Sequence, residues 1–201
     1  MIVLLACLAL LQDPEVYVDK ATGLRFVKEV GSLARAEITD YDKEGRPDLG
    51  VSVAYKLRDE EGKIVMSLNV YAYDLGEKAI PDGIDAEVVK KQFEQVKNDV
   101  IQKQGPKGWH SVKHIADSRA GLGADKGAPP ALKSEFETTL KEGGPKMGSL
   151  IYLLGYRNRF LKIRVTYMAE QKKTCVEEFE KLLSELGRQV KPPADSKKPK
   201  E

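Results

Sequence analysis

His110 and His114 stand four residues apart. On a helix that spacing puts both rings on one face and suggests zinc. On a strand four residues span roughly 13 Å, too far for one metal ion. Trp109, Val112 and Ile115 favour a strand, so the pair reads as surface or cleft histidines, and no metal site is expected. Asp40-Tyr41-Asp42-Lys43-Glu44-Gly45 imitates the start of a calcium loop, but its twelfth position is Val51 where a bidentate glutamate is needed. A solvated turn is expected there. Gly121-Leu122-Gly123 through Gly127 has the glycines of a phosphate cradle, yet Ala128-Pro129-Pro130 follows where such loops open into a helix. Cys175 falls at a helix start beside Lys172 and Lys173, a setting that favours thiolate, but no base is paired with it. No Gly-x-Ser-x-Gly elbow and no cofactor motif is present, so neither a catalytic constellation nor a cofactor is expected. One surface stands out. Lys162 and Arg164 share the polar face of a strand and would sit beside Tyr152 or Tyr156 of its hairpin partner, an arrangement suited to an anionic or aromatic ligand. The ordinary reading is that these long side chains lie over the sheet or pair with helix acids.

The elements that must carry these residues follow from hydrophobic periodicity. Gly23 to Val30 and Leu33 to Tyr41 read as strands, closed by a turn-rich stretch from Asp42 to Asp48. Val51, Val53, Tyr55 and Leu57 alternate with polar neighbours. After Asp59-Glu60-Glu61-Gly62, the residues Ile64, Met66, Leu68, Val70 and Ala72 alternate with Val65, Ser67, Asn69, Tyr71 and Tyr73. This predicts an antiparallel hairpin with one strongly apolar face. Val89, Phe93, Val96 and Val100 form one stripe of a helix, with Asp85 as its expected N-cap and Gly105-Pro106 as its stop. Trp109 to Ala116 reads as a strand, Asp117 to Pro130 as a mobile surface loop, and Ala131 to Leu140 as another strand. Leu150 to Gly155 and Phe160 to Met168 form a second hairpin, with Asn158 at positive φ. Phe179, Leu183, Leu186 and Val190 repeat the helical stripe, with Thr174 and Glu177 at capping-box spacing. Runs of strands separated by helices give an α+β fold with a mainly antiparallel sheet flanked by two principal helices.

The chain has 201 residues, 33 Lys plus Arg and 31 Asp plus Glu, enough for one domain whose surface is well solvated. The four lysines and two acids from Lys191 onward carry the whole net excess of +2, so the folded body is neutral. A nucleic-acid binder would concentrate basic charge on that body, and none is seen. Met1 to Leu11 is uninterrupted apolar sequence, far short of the roughly 20 residues that cross a bilayer. With its Cys7-Leu8-Ala9 pattern it reads as a signal peptide over residues 1–12, although no Lys or Arg precedes it. Two alternatives are a lipoprotein acylated at Cys7 and a buried first strand. The single α+β domain is expected over 13–190 and a disordered Lys/Pro-rich tail over 191–201.

Thr22-Gly23-Leu24-Arg25-Phe26, the segment Tyr152 to Tyr167 and the Thr174–Val190 helix together resemble the opening strand, final hairpin and C-terminal helix of PsbP-like domains. The resemblance implies an α/β/α sandwich and an affinity with exported bacterial proteins of that shape. It carries no functional residue, because the shape does not carry function. The leading expectation is an exported, periplasmic or secreted, non-enzymatic domain that binds a protein or cell-envelope component. A carrier of small anionic or aromatic ligands through Tyr152, Lys162 and Arg164 is the second, and an enzyme with an unfamiliar site near Cys175 or His110–Asp117 the third.

Overall fold

A computed structural model describes residues 15–105 and 108–190. The expected leader, the possible acylation at Cys7, and the tail beyond Val190 lie outside the described residues. The chain runs β1 (Val16–Val18), β2 (Arg25–Val27), β3 (Glu29–Val30), β4 (Leu33–Asp40), β5 (Val51–Arg58), β6 (Ile64–Tyr73), α1 (Glu87–Ile101), β7 (Ser111–Gly121), β8 (Pro130–Thr139), β9 (Lys146–Tyr156), β10 (Arg159–Met168) and α2 (Lys172–Gln189). Eight strands form one sheet in the order β3-β4-β5-β6-β10-β9-β8-β7, every neighbour antiparallel. Two four-strand meanders thus meet along the β6–β10 seam, each followed in sequence by a helix. The expected α+β class with an antiparallel sheet is present, and strands outweigh helices. Among the described residues no helix is long and apolar enough to cross a membrane.

Alternation in the strands assigns the two sheet faces. Val53, Tyr55, Leu68, Val70, Ile163, Val165, Leu150 and Tyr152 share one face and pack with Cys175, Phe179, Leu182, Leu183 and Leu186 of α2, together with Leu24 and Phe26. Phe136, Ile151, Leu153, Phe160 and Tyr73 share the other face and pack beneath Val89, Phe93, Val96 and Val100 of α1. Both predicted helical stripes are therefore buried, on opposite sides of the sheet. Each such side chain removed from water contributes roughly 1.5–3 kcal/mol before conformational entropy is counted.

Helix α1 covers only part of its face. Its residues bury against β7 to β10, whereas Ser67, Asn69 and Tyr71 on β6 and Lys162, Arg164 and Thr166 on β10 stay half-buried at its flank. The tight turn between β9 and β10 has φ +50° at Arg157 and +59° at Asn158, the positive pair of a type I′ hairpin. The Asn158 side chain also earns its place by accepting a hydrogen bond from the Ile80 N–H at 2.8 Å.

Four sequence expectations change. The predicted strand from Gly23 to Val30 splits. β2 pairs with β1 in a separate two-stranded sheet, and β3 pairs with β4. Asp85 does not cap α1: the cap position is Ala86, and Asp85 instead meets the Arg119 guanidinium at 3.3 Å. The capping box at Thr174 and Glu177 is not formed, because α2 already begins at Lys172 after a short 3₁₀ turn, Ala169–Gln171.

The fourth change concerns the stretch from Asp117 to Pro130. It is not a mobile loop throughout, since β7 continues to Gly121 and the following Leu122 is wholly buried. Gly123 and Gly187 explain the anchoring. A side chain at 123 would strike Ser184 of α2, and one at 187 would come within 2.0 Å of the Leu122 carbonyl oxygen. Alanine is favoured over glycine inside a helix by about 1 kcal/mol. Gly187→Ala is nevertheless expected to destabilise the protein by about 1–3 kcal/mol through overpacking, as read by urea unfolding. A gain in stability would show that this segment does not rest on α2.

Candidate functional site

Beside α1 the sheet opens into a cleft of about 360 Å³, lined by Tyr71 of β6, Val96, Asp99 and Val100 of α1, Gln102 and Lys103 in the turn after α1, Ile151 of β9, and Lys162 and Arg164 of β10. Its construction is local. Positions 162 and 164 alternate onto the same face of β10, opposite Tyr71 and Asn69 on β6 and Leu153 and Ile151 on β9. On the helix Val96 and Val100 bury against the sheet and Asp99 lies beside them at the cleft, while Lys103 follows in the turn after α1.

The electrostatics of this cleft are unbalanced. Three cations, Lys103, Lys162 and Arg164, share it with one acid, Asp99. Among the described residues none of the three cations has a carboxylate within ion-pair distance, although lysines and arginines elsewhere in the fold do. The Lys162 ammonium instead stands 4.3 Å from the centre of the Tyr71 ring and 5.2 Å from that of Tyr73. Burial first, and then the charge of Arg164 and Lys103, pushes Lys162 down to about 8 against the pull of Asp99. Burial also lowers Arg164 and Lys103, with Arg164 adding to the effect on Lys103. Tyr71 is raised by burial, which the nearby Arg164 partly opposes.

Of the three residues singled out from sequence, the fold brings Lys162 and Arg164 together and separates Tyr152 from them. Tyr152 is opposite Ile163, on the α2 face, where its ring meets Phe179 edge-on at 5.6 Å. Tyr156 lies on that face too, its hydroxyl donating to the Gln189 carbonyl at 3.2 Å. The aromatic partners of Lys162 come from β6. Tyr71 and Tyr73 were visible in sequence as the aromatic positions of an otherwise polar strand face, but nothing local to β6 says that β10 lies beside it.

The other candidate groups fall elsewhere. His110 is exposed, and its backbone N–H pairs with the Thr139 carbonyl. His114 lies three residues from Asp117, and a bulge between His114 and Ala116 brings both onto one face of β7, where they bond at 2.8 Å. Lys97 of α1 donates to the same carboxylate at 2.6 Å, tying helix to strand. Burial works to raise the Asp117 carboxyl, but these hydrogen bonds outweigh it and hold its pKa below the ordinary value. Cys175 is fully buried, which pushes its thiol pKa up, opposite to an activated thiolate. Among the described residues no group of three or more His, Cys, Asp and Glu side chains could hold a metal ion.

A larger cleft of about 520 Å³ runs along α2 and is lined mainly by acids, including Glu29, Glu177 and Glu180. Its two cations are already engaged, Lys181 with Glu178 and Arg188 with Glu185, both at 2.6 Å. Of the two, the smaller cleft is the one whose cations have no ion-paired carboxylate among the described residues. Searched against protein-family models and curated proteins, the chain matches neither a family model nor a curated protein.

Proposed function

We propose that this chain is an exported domain that binds a small anionic ligand in the cleft between α1 and the β6–β10 seam. The observation that carries the reading is the convergence of Lys162, Arg164 and Lys103 with no ion-paired carboxylate among the described residues. Lys162 and Arg164 are half-buried without counter-charge, which is costly to the folded protein, and an incoming anion removes that cost, while the exposed Lys103 adds its charge at the edge of the cleft. Arg164 offers a planar fork for a carboxylate, and Lys162 and Lys103 offer point charges. Val96, Val100 and Ile151 favour a ligand with a small apolar body.

This reading moves the ligand carrier ahead of docking to a protein or envelope component, since the cleft supplies a specific chemistry and no described surface does so for a macromolecule. Export rests on the apolar segment over residues 1–11, and N-terminal sequencing of the mature protein tests it: an intact Met1 on soluble protein would defeat export by this route. A PsbP-like α/β/α sandwich belongs to the same proposal. Helices on opposite sheet faces, a closing β9–β10 hairpin and a C-terminal helix support it.

Thermal melting with glycolate, oxalate and benzoate tests the ligand class. A ligand at 100 times its Kd stabilises by about 2.7 kcal/mol, so a rise in Tm of several degrees is expected for the binding acids. That rise should vanish in the Lys162→Ala/Arg164→Ala double variant, shrink in Tyr71→Leu, and survive in Tyr152→Phe. A rise that persists in the double variant would end the reading.

A further inference from the structure

We propose that the cleft captures its ligand covalently: the ε-amine of Lys162 condenses with the carbonyl of a small oxo acid whose carboxylate is held by Arg164 and Lys103. The inference rests on the anion-binding reading and adds the ligand class, a carbonyl adjoining a carboxylate.

Three features of the geometry carry it. First, Lys162 has no carboxylate within ion-pair distance among the described residues, so no fixed anion holds its proton. A lysine withdrawn from water beside another cation is the standard setting for an amine nucleophile. Second, Arg164 is two positions along the same strand face, roughly 7 Å away along the chain. A carboxylate seated on the guanidinium therefore places its adjoining carbon toward the Lys162 Nζ. Third, the cleft is open to solvent at the α1 flank, so a small ligand enters, while Val96, Val100 and Ile151 form an apolar wall that limits hydrolysis of the product.

The groups facing Lys162 are Asp99 from α1, Lys103 from the turn after it, Arg164 from its own strand, and the Tyr71 and Tyr73 rings from β6. The β9 side presents Ile151 and Leu153. Burial and the neighbouring cations Arg164 and Lys103 oppose the ammonium, and Asp99 favours it. The balance lies at about 8, which leaves a large neutral fraction under mildly alkaline conditions.

The step balances without a redox partner. The neutral amine adds its lone pair to the carbonyl carbon, and a proton passes from nitrogen to the former carbonyl oxygen, giving a carbinolamine. That oxygen takes a second proton and leaves as water. The product is an iminium whose positive charge replaces the ammonium over the same tyrosine rings. Asp99 is the carboxyl in the cleft available to relay the proton.

Reductive trapping tests the proposal. The full chain is incubated at pH 8 with glyoxylate and cyanoborohydride, and the adducts are mapped by mass spectrometry. Lys162 should label at least about tenfold faster than exposed lysines, because at pH 8 a lysine of ordinary pKa is almost wholly protonated. The Lys162 rate should rise as the pH passes 8. Lys162→Arg should lose the adduct while keeping its glycolate-dependent rise in Tm. Arg164→Gln, which also removes a charge that lowers the Lys162 pKa, should slow labelling by glyoxylate several-fold more than labelling by neutral propanal. Labelling of Lys162 no faster than that of exposed lysines would overturn covalent capture, whether or not glycolate still shifts melting. Fast labelling with no glycolate shift would overturn the anion reading and, with it, the oxo-acid ligand class.

Discussion

Lys162→Met is expected to stabilise the protein by about 1–2 kcal/mol at pH 7 and to abolish the rise in Tm given by small carboxylates. The pKa of Lys162 falls from 10.5 to about 8 on folding. A displacement of that size corresponds to about 3 kcal/mol against the charged form. The Tyr71 and Tyr73 rings return about 1–2 kcal/mol of it through cation–π attraction, and both effects disappear when methionine fills the same volume. The same displacement fixes a pH dependence. Between pH 8 and 10.5 the folded protein holds fewer protons at this position than the unfolded chain, so Lys162 makes stability rise with pH across that window. Below pH 8 both states are protonated and the penalty is at its full size. Urea unfolding from pH 7 to 10 should show a rise in the wild-type protein that is smaller in Lys162→Met. A variant less stable than wild type at pH 7, with an unchanged pH profile, would mean that Lys162 is not electrostatically strained and that the cleft has no unsatisfied charge. Gain of stability with loss of binding is the pattern of a functional site, where side chains are kept against the interest of the fold.

Phe179→Ala is expected to cost about 3–5 kcal/mol, the usual loss for an aromatic side chain truncated inside a core. In a body of this size that lowers Tm by roughly 8–15 °C. Phe179 is 1% exposed and lies in the cluster that joins α2 to β5, β6, β9 and β10. Its ring also meets Tyr152 edge-on, which adds to simple burial. Circular dichroism melting measures the effect. A loss below about 1 kcal/mol, the size expected at a solvated position, would show that α2 does not form this half of the core. Glyoxylate trapping at Lys162 should proceed normally in this variant below its melting temperature, because the cleft lies on the other side of the sheet. The pair of substitutions thus separates the two faces: one change stabilises and abolishes ligand binding, the other destabilises and leaves the cleft intact.

Much of the architecture was legible in the residues. The alternation through Val51–Leu57 and Met66–Ala72 and the stripes Val89-Phe93-Val96-Val100 and Phe179-Leu183-Leu186 are local signals, and each marks a surface that the fold buries. Ile64 departs from its strand's pattern, being exposed beside the irregular pairing of Leu57 and Arg58. The helix starts were misread because a side chain able to cap does so only where the backbone places it. Asp85 found an arginine, and Thr174 was taken into the first turn of α2. Tyr152 was a readable case: counting back from the Arg157–Asn158 turn puts it opposite Ile163, on the apolar face.

By itself the sequence determined the class of fold, the apolar faces of both helices, the central hairpins, and the pairing of Lys162 with Arg164 on one strand face. Each depends on spacing within a single element, and backbone geometry translates that spacing directly into direction. Tertiary structure alone decided that β6 lies beside β10, that Tyr71 and Tyr73 therefore face Lys162, that α1 and the turn after it wall the cleft with Asp99 and Lys103, and that Leu122 rests on Gly187. Those outcomes join residues far apart in the chain. They are set by how two meanders and two helices share the burial of a common sheet, a balance of contacts that no short window of residues contains.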